Sequence, residues 1–171
     1  MAIAATDIAF YHPATRTEGS SHGGTCDYGT ATSCEIATTK NGLWDDVSGD
    51  EASAGDTEYR KIFVGLKTTA GSQILSNPVI FIASTTPATG DEIEILMSTA
   101  SADYSNVQSD ITGATTWSTP TTKTDGLSLH DIQTGAGTGG AAGVWLRRVV
   151  SAGAGSYADN SFTLQVEGET V

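Results

Sequence analysis

The sequence predicts an all-β fold, a β-sandwich of jelly-roll type with an extended N-terminal arm and long loops. Three observations lead there. Several short segments alternate apolar and polar residues with the two-residue period of a strand. Glycine, at 20 residues, and Ser and Thr, together roughly a quarter of the chain, supply turns between those segments. No stretch carries the 3.6-residue period of a long amphipathic helix. About eight short strands punctuated in this way are the pattern of a two-sheet sandwich.

At 171 residues the chain is long enough for one self-sufficient core. Residues 1–32 read as an N-terminal arm and exposed loop, and residues 33–171 as a single sandwich domain. A short strand over Asp7–Tyr11 ends at Pro13. Thr15–Thr32 shows no apolar periodicity and reads as a long loop, either an excursion or an arm that contacts something. Ser33–Thr38 is a weak strand, and Asn41-Gly42 is a turn signal.

The stretch 41–67 combines an aromatic and acidic entry, Leu43-Trp44-Asp45-Asp46, with a turn-rich acidic loop and a strand that starts at Tyr59. In that strand Ile62, Val64 and Leu66 share one face, which alternation assigns to the core, and Tyr59, Lys61 and Phe63 share the other. Gln73–Ala83 is apolar on both faces after Pro78, which belongs at a bulge or an edge. Asp91–Met97 puts Ile93, Ile95 and Met97 inward and Glu92 and Glu94 outward. Asp103–Ile111 has the spacing of one helical turn. Trp117 and Leu127–Leu129 have weak strand character. Gly135–Gly143 reads as a flexible loop, Val144–Val150 as a strand, and Asn160–Glu167 as a closing strand with Phe162, Leu164 and Val166 on one face.

The charge narrows the function classes. A net charge of −12 with eight scattered basic residues repels phosphates, so nucleic acid is not an expected partner. Acidity of this kind suits solubility or docking on a basic protein surface. No apolar run approaches the ~20 residues of a membrane helix, so no membrane partner is expected. The N-terminus lacks a secretory leader, which places synthesis in the cytosol. Cys26 and Cys34 are close enough in sequence to bridge, but reduced thiols are the default there.

Catalytic patterns are weak. Gly19–Gly23 fits G-x-S-x-G, but no strand feeds it and no helix follows. Gly135–Gly140 fits G-x-G-x-x-G, yet a β-type run follows instead of a phosphate-facing helix. His12, His22, Cys26 and Cys34 match no compact zinc spacing. The carboxylates Asp45, Asp46, Asp50, Glu51, Asp56 and Glu58 are numerous enough for calcium but fail the EF-hand pattern at Glu51. No enzyme, cofactor or metal is therefore expected.

Arg147-Arg148 beside Trp145 is the one local cationic and aromatic cluster. Alternation points Trp145 and Arg147 to one face and Leu146 and Arg148 to the other, so one arginine is directed at the core side and needs a partner, such as a carboxylate. Two roles stay open for the cluster: an intramolecular ion pair, or a subunit contact.

The runs LWDDVSGDEASAGDTEYRKIFV (43–64) and VWLRRVVSAGAGSYADNSFTLQVEGET (144–170) resemble segments of structural proteins from tailed bacteriophage particles. Small acidic sandwiches of this kind resemble capsid decoration or cement proteins. The resemblance implies a non-enzymatic virion protein that self-associates as a trimer, binds the major capsid protein and sits on the outer head surface. Phe10, Tyr11, His12, Trp44, Trp145, Arg147 and Arg148 are the candidate capsid-binding or interface residues. The arm idea implies that removing residues before Ile36 leaves the domain folded. The competing reading is a carbohydrate-binding, receptor-binding module of a tail fibre or baseplate, with Trp44, Trp117 and Trp145 as stacking faces.

Overall fold

A computed structural model of the chain describes residues 2–12, 35–38, 42–97, 111, 116–134, 140–155 and 160–171. Outside the described residues lie the Thr15–Thr32 loop, the G-x-S-x-G run, three of the four zinc candidates (His22, Cys26 and Cys34), nearly all of the expected helical turn before Ile111, and residues 135–139 of the glycine loop.

Two antiparallel sheets pack face to face. The first has the order β1 (Ile8–Tyr11), β2 (Asp56–Leu66), β7 (Ala141–Val150), β4 (Asp91–Met97). The second is built on β3 (Ile74–Ser84), with β5 (Leu127–Ser128) and β6 (Ile132–Gln133) along one side and β8 (Thr163–Thr170) along the other. The expected β-sandwich is the observed architecture. Segment 116–120 straps the sheets together, because Ile95 exchanges main-chain hydrogen bonds with Ser118 (2.8 and 3.1 Å) and Ile82 N–H donates to Pro120 O (2.8 Å).

Strand alternation builds the core. Ile62, Val64 and Leu66 of β2, Val144 and Leu146 of β7, and Ile93 and Ile95 of β4 face Leu75, Ile80 and Ile82 of β3 and Ile132 of β6, all buried. Met97, Leu164 and Val166 pack against them, as the alternation of β4 and β8 requires. Pro78 sits at an irregularity where the β3–β8 register shifts between Ser76 and Val79. Asn77 there takes φ 49°, and Asp131 Oδ1 holds the distortion by accepting from Asn77 N–H (2.8 Å) and Ser76 Oγ (3.2 Å).

Four expectations are corrected. First, the opposite face of the first sheet is buried as well: Ala9, Tyr11, Lys61, Phe63 and Trp145 are at most 3% exposed. The unbroken run Lys61–Leu66 carries too few polar alternates for a half-exposed strand, which is the composition of a strand covered on both sides. Second, part of the acidic loop is a one-turn helix, α1 (Gly49–Ala54). Ser48 and Glu51 form a capping box, with Ser48 N–H donating to Glu51 Oε2 (2.6 Å) and Glu51 N–H to Ser48 Oγ (3.2 Å). Gly55 ends the helix at φ +82°, where a Cβ would lie 3.0 Å from Ala152 N. Third, β2 begins at Asp56 and β7 at Ala141, since the two pair continuously from Asp56–Val150 to Gly65–Ala141.

Fourth, Ile8–Tyr11 belongs to the domain. It pairs with Phe63–Leu66, Ile36 N–H donates to Phe10 O (2.8 Å), and Tyr11 and His12 are buried. Burial, and then the Glu35 carboxylate, push the Tyr11 phenol up to about 12. Removing residues before Ile36 therefore deletes an edge strand. Losing the Tyr11 side chain alone is expected to cost about 3–5 kcal/mol. A urea titration followed by tryptophan fluorescence checks this: the midpoint of a chain lacking residues 1–12 falls sharply, and an unchanged midpoint refutes the role of β1.

Candidate functional site

The start of β2, the end of β7 and the start of β4 converge at one end of the sandwich. There the segments 42–48, 86–90 and 160–162 and helix α1 surround a cleft of about 740 Å³. Its walls include Leu43, Trp44, Ile93, Val150 and Phe162, with Asp91 and Arg148 among them and Asp45 and Asp46 at the exposed rim.

Arg148 is the side chain that alternation aims at the core side, and it is 8% exposed. Glu58, directly opposite it on β2, supplies the expected carboxylate to Nη2. Nη1 donates to Asp45 O (3.1 Å), and the guanidinium lies 5.6 Å from the centroid of the Trp44 ring. The same Trp44 ring meets Phe162, tilted by 51° at 5.6 Å. Arg60 also reaches Glu58 (3.4 Å) and donates from Nε to Leu43 O (3.3 Å). Burial raises the Glu58 carboxyl above its ordinary value, against the pull of Arg148 and Arg60. Asp91 is likewise raised by burial, offset by Arg148 and by the hydrogen bond that its Oδ2 accepts from Asn160 Nδ2.

Three side chains of the cleft carry an unfinished hydrogen-bonding atom. Trp44 Nε1, Asp91 Oδ1 and Arg148 Nε are buried without a partner among the described residues. Each such atom costs about 1–3 kcal/mol if nothing answers it.

On the opposite face of β7, Arg147 is held by Glu94 through Nε and Nη2. It stacks 4.6 Å from the Trp117 centroid, and that ring also meets Tyr59 at 5.7 Å. Lys61 lies 5.5 Å from the Phe63 centroid and 5.6 Å from that of Trp145. The Arg147-Arg148 pair is thus split between two ion pairs within the chain. Of the other candidate residues, Tyr11, His12, Trp44 and Trp145 are buried, and Phe10 packs partly against the core. The cleft brings only Trp44 and Arg148 of these seven together. Asp91 and Asn160 escaped the sequence reading. The buried first position of β4, where an acidic residue opens an otherwise apolar inward face, was the available signal for Asp91.

The acidic residues near α1 have structural tasks, Glu51 in the capping box and Glu58 between two arginines. Among the described residues no group of three or more His, Cys, Asp or Glu is placed to hold a metal ion. No protein family, curated protein or solved structure matches this chain.

Two outcomes follow from the geometry. Arg148→Ala leaves the part-buried Glu58 with only the longer Arg60 contact (3.4 Å) and is expected to cost about 2–4 kcal/mol, whereas Arg147→Ala, at a partly exposed pair, costs about 1 kcal/mol; paired denaturant titrations measure the contrast, and equal costs would remove Arg148 from its structural place. For Asp91 the sign follows from its raised folded value. The folded state takes up the proton more readily than the unfolded chain, so its contribution is present below the ordinary carboxyl range and lost as pH rises through the folded pKa. Asp91→Asn is neutral at every pH, so its stability relative to the native chain shifts in its favour between about pH 4 and about pH 7. Urea midpoints of both proteins at the two pH values test that sign.

Proposed function

We propose that the chain is a non-enzymatic structural component of a bacteriophage particle, a decoration or cement protein that self-associates as a trimer on the outer head surface and stabilises the shell. The resemblance of 43–64 and 144–170 to virion proteins points there. The structural observation that carries the reading is the disposition of charge. Of eight basic residues, Arg16 and Lys40 lie outside the described set. Arg60, Lys67, Lys123, Arg147 and Arg148 each pair with a glutamate, and Lys61 is buried between two rings. Arg60, Lys61, Arg147 and Arg148 are buried or partly buried and Lys67 and Lys123 are paired nearer the surface, while Asp45, Asp46, Asp50, Glu92, Asp125, Asp131 and Glu169 stay exposed. That outer surface suits docking on a basic protein face.

Val171 is the only exposed large apolar side chain among the described residues. Self-association in this reading therefore runs through polar surface and strand edges. The proposed arm and loop span residues 1–32, of which Ile8–Tyr11 pair with β2 in the first sheet. The finer jelly-roll class belongs to the same proposal and is supported by the long-range returns of β7 to β2 and of β8 to β3. Weak contacts repeated over a symmetric lattice add through avidity, and binding confined to the expanded shell stabilises it by mass action. The carbohydrate-binding alternative loses its platform, since Trp44, Trp117 and Trp145 are each stacked or buried within the chain.

Quantitative mass spectrometry of purified particles tests the role. The expected result is roughly one copy per major capsid subunit. A few copies per particle would move the protein to the tail or neck, and absence from the particle would end the virion reading.

A further inference from the structure

The cleft between α1 and the ends of β2, β4 and β7 is walled but chemically incomplete. Its volume of about 740 Å³ falls in the range of roughly 300–1,000 Å³ over which proteins enclose ligands. Trp44, Asp91 and Arg148, at 7%, 7% and 8% exposure, all line it. Their unsatisfied atoms are two donors and one acceptor, Trp44 Nε1, Arg148 Nε and Asp91 Oδ1. The charge on the walls is unbalanced. Among the described lining residues, Asp45 and Asp91 stand beside one guanidinium, that of Arg148, which already shares Glu58 with Arg60.

We infer that this cleft is a docking site for an extended basic peptide segment, supplied by the capsid subunit on which the protein sits. The source of the peptide rests on the proposed cementing role; the chemistry of the site does not. Main-chain carbonyls of an extended peptide answer the Trp44 and Arg148 donors, while a lysine or arginine side chain answers Asp91 and then Asp45 at the rim. Leu43, Ile93, Val150 and Phe162 offer apolar wall to the aliphatic stem of such a side chain. An anionic ligand is repelled by the wall charge. A sugar could satisfy the same donors and acceptor, but the Trp44 ring already lies under Arg148 and against Phe162, so no aromatic face is presented for stacking.

The test uses the full chain and isothermal titration with three probes: a blocked five-residue peptide of alanine and valine carrying one lysine and one arginine, its counterpart with glutamate at both basic positions, and N-acetylglucosamine. The basic peptide binds, more weakly as salt rises, and the glutamate peptide does not. Asp91→Asn, of nearly the same shape, lowers the affinity about tenfold, and Asp45→Asn, on the exposed rim, about threefold. Near-UV circular dichroism verifies that each variant is folded, and the rim variant keeps the test alive if the buried one is not. Equal binding of both peptides, binding of the sugar in place of the basic peptide, no binding of the basic peptide, or native affinity in both variants overturns the site. Occupancy on particles separates the two proposals. A peptide-binding cleft in a protein absent from heads ends the role and keeps the site, whereas Asp91→Asn and Asp45→Asn protein that fills the head lattice normally ends the site and keeps the role.

Discussion

The Arg148 guanidinium, held by Glu58 across the β2–β7 ladder on the core-facing side of the first sheet, is the contact on which one end of the sandwich depends. A charge taken this far out of water needs a fixed partner and answered hydrogen-bonding groups, a need met here at Nη1 and Nη2 and left open at Nε. Both conditions shape the chain nearby. Arg148 binds Asp45 O and Arg60 binds Leu43 O, so two arginines on adjacent strands tether the main chain of 43–45 to the sheet. That tether places Trp44 over Arg148 and against Phe162, which ties the β8 end of the second sheet to the same corner. The cleft is the space left when a charged group, instead of another isoleucine, closes the core.

Much of this was legible in the sequence wherever one physical rule acted alone. The alternation of 91–97 needed only the two-residue period, and Pro78 only the missing N–H, so the core face of β4 and the irregularity in β3 agree with what was read. The opposite directions of Arg147 and Arg148, and the carboxylate that the inward one requires, followed in the same way. Where two rules competed, the sequence misled. Acidic and glycine content hid α1, although Ser48-Gly49-Asp50-Glu51 spells a capping box. Polar Tyr59 and Lys61 made β2 look half exposed, yet Lys61 is buried, with its ammonium near two aromatic rings that a sequence cannot bring together. The cleft was not legible at all. Asp91, Arg148, Trp44 and Asn160 come from four separate segments, and only the pairing of β4 and β2 with β7 makes them neighbours.

The pairing of cations with carboxylates of the same chain has a consequence for how such a domain meets other molecules. A chain of net charge −12 could scatter its basic residues over the surface and soften its own repulsion. Here five of the described cations pair with four glutamates, Glu58 taking both Arg60 and Arg148, and the sixth, Lys61, is buried near two aromatic rings. Among the described residues the exposed carboxylates outnumber the exposed cations, which raises the barrier to contact between identical copies and lowers it towards a basic partner. With both faces of the first sheet covered and Val171 the one exposed large apolar side chain among the described residues, apolar burial there offers little to offset that repulsion. In the proposed role, association of copies would therefore be weak in free solution and favourable once a basic scaffold lay beneath them and neutralised the acidic faces. In that setting the scaffold supplies the attraction that the copies lack for each other.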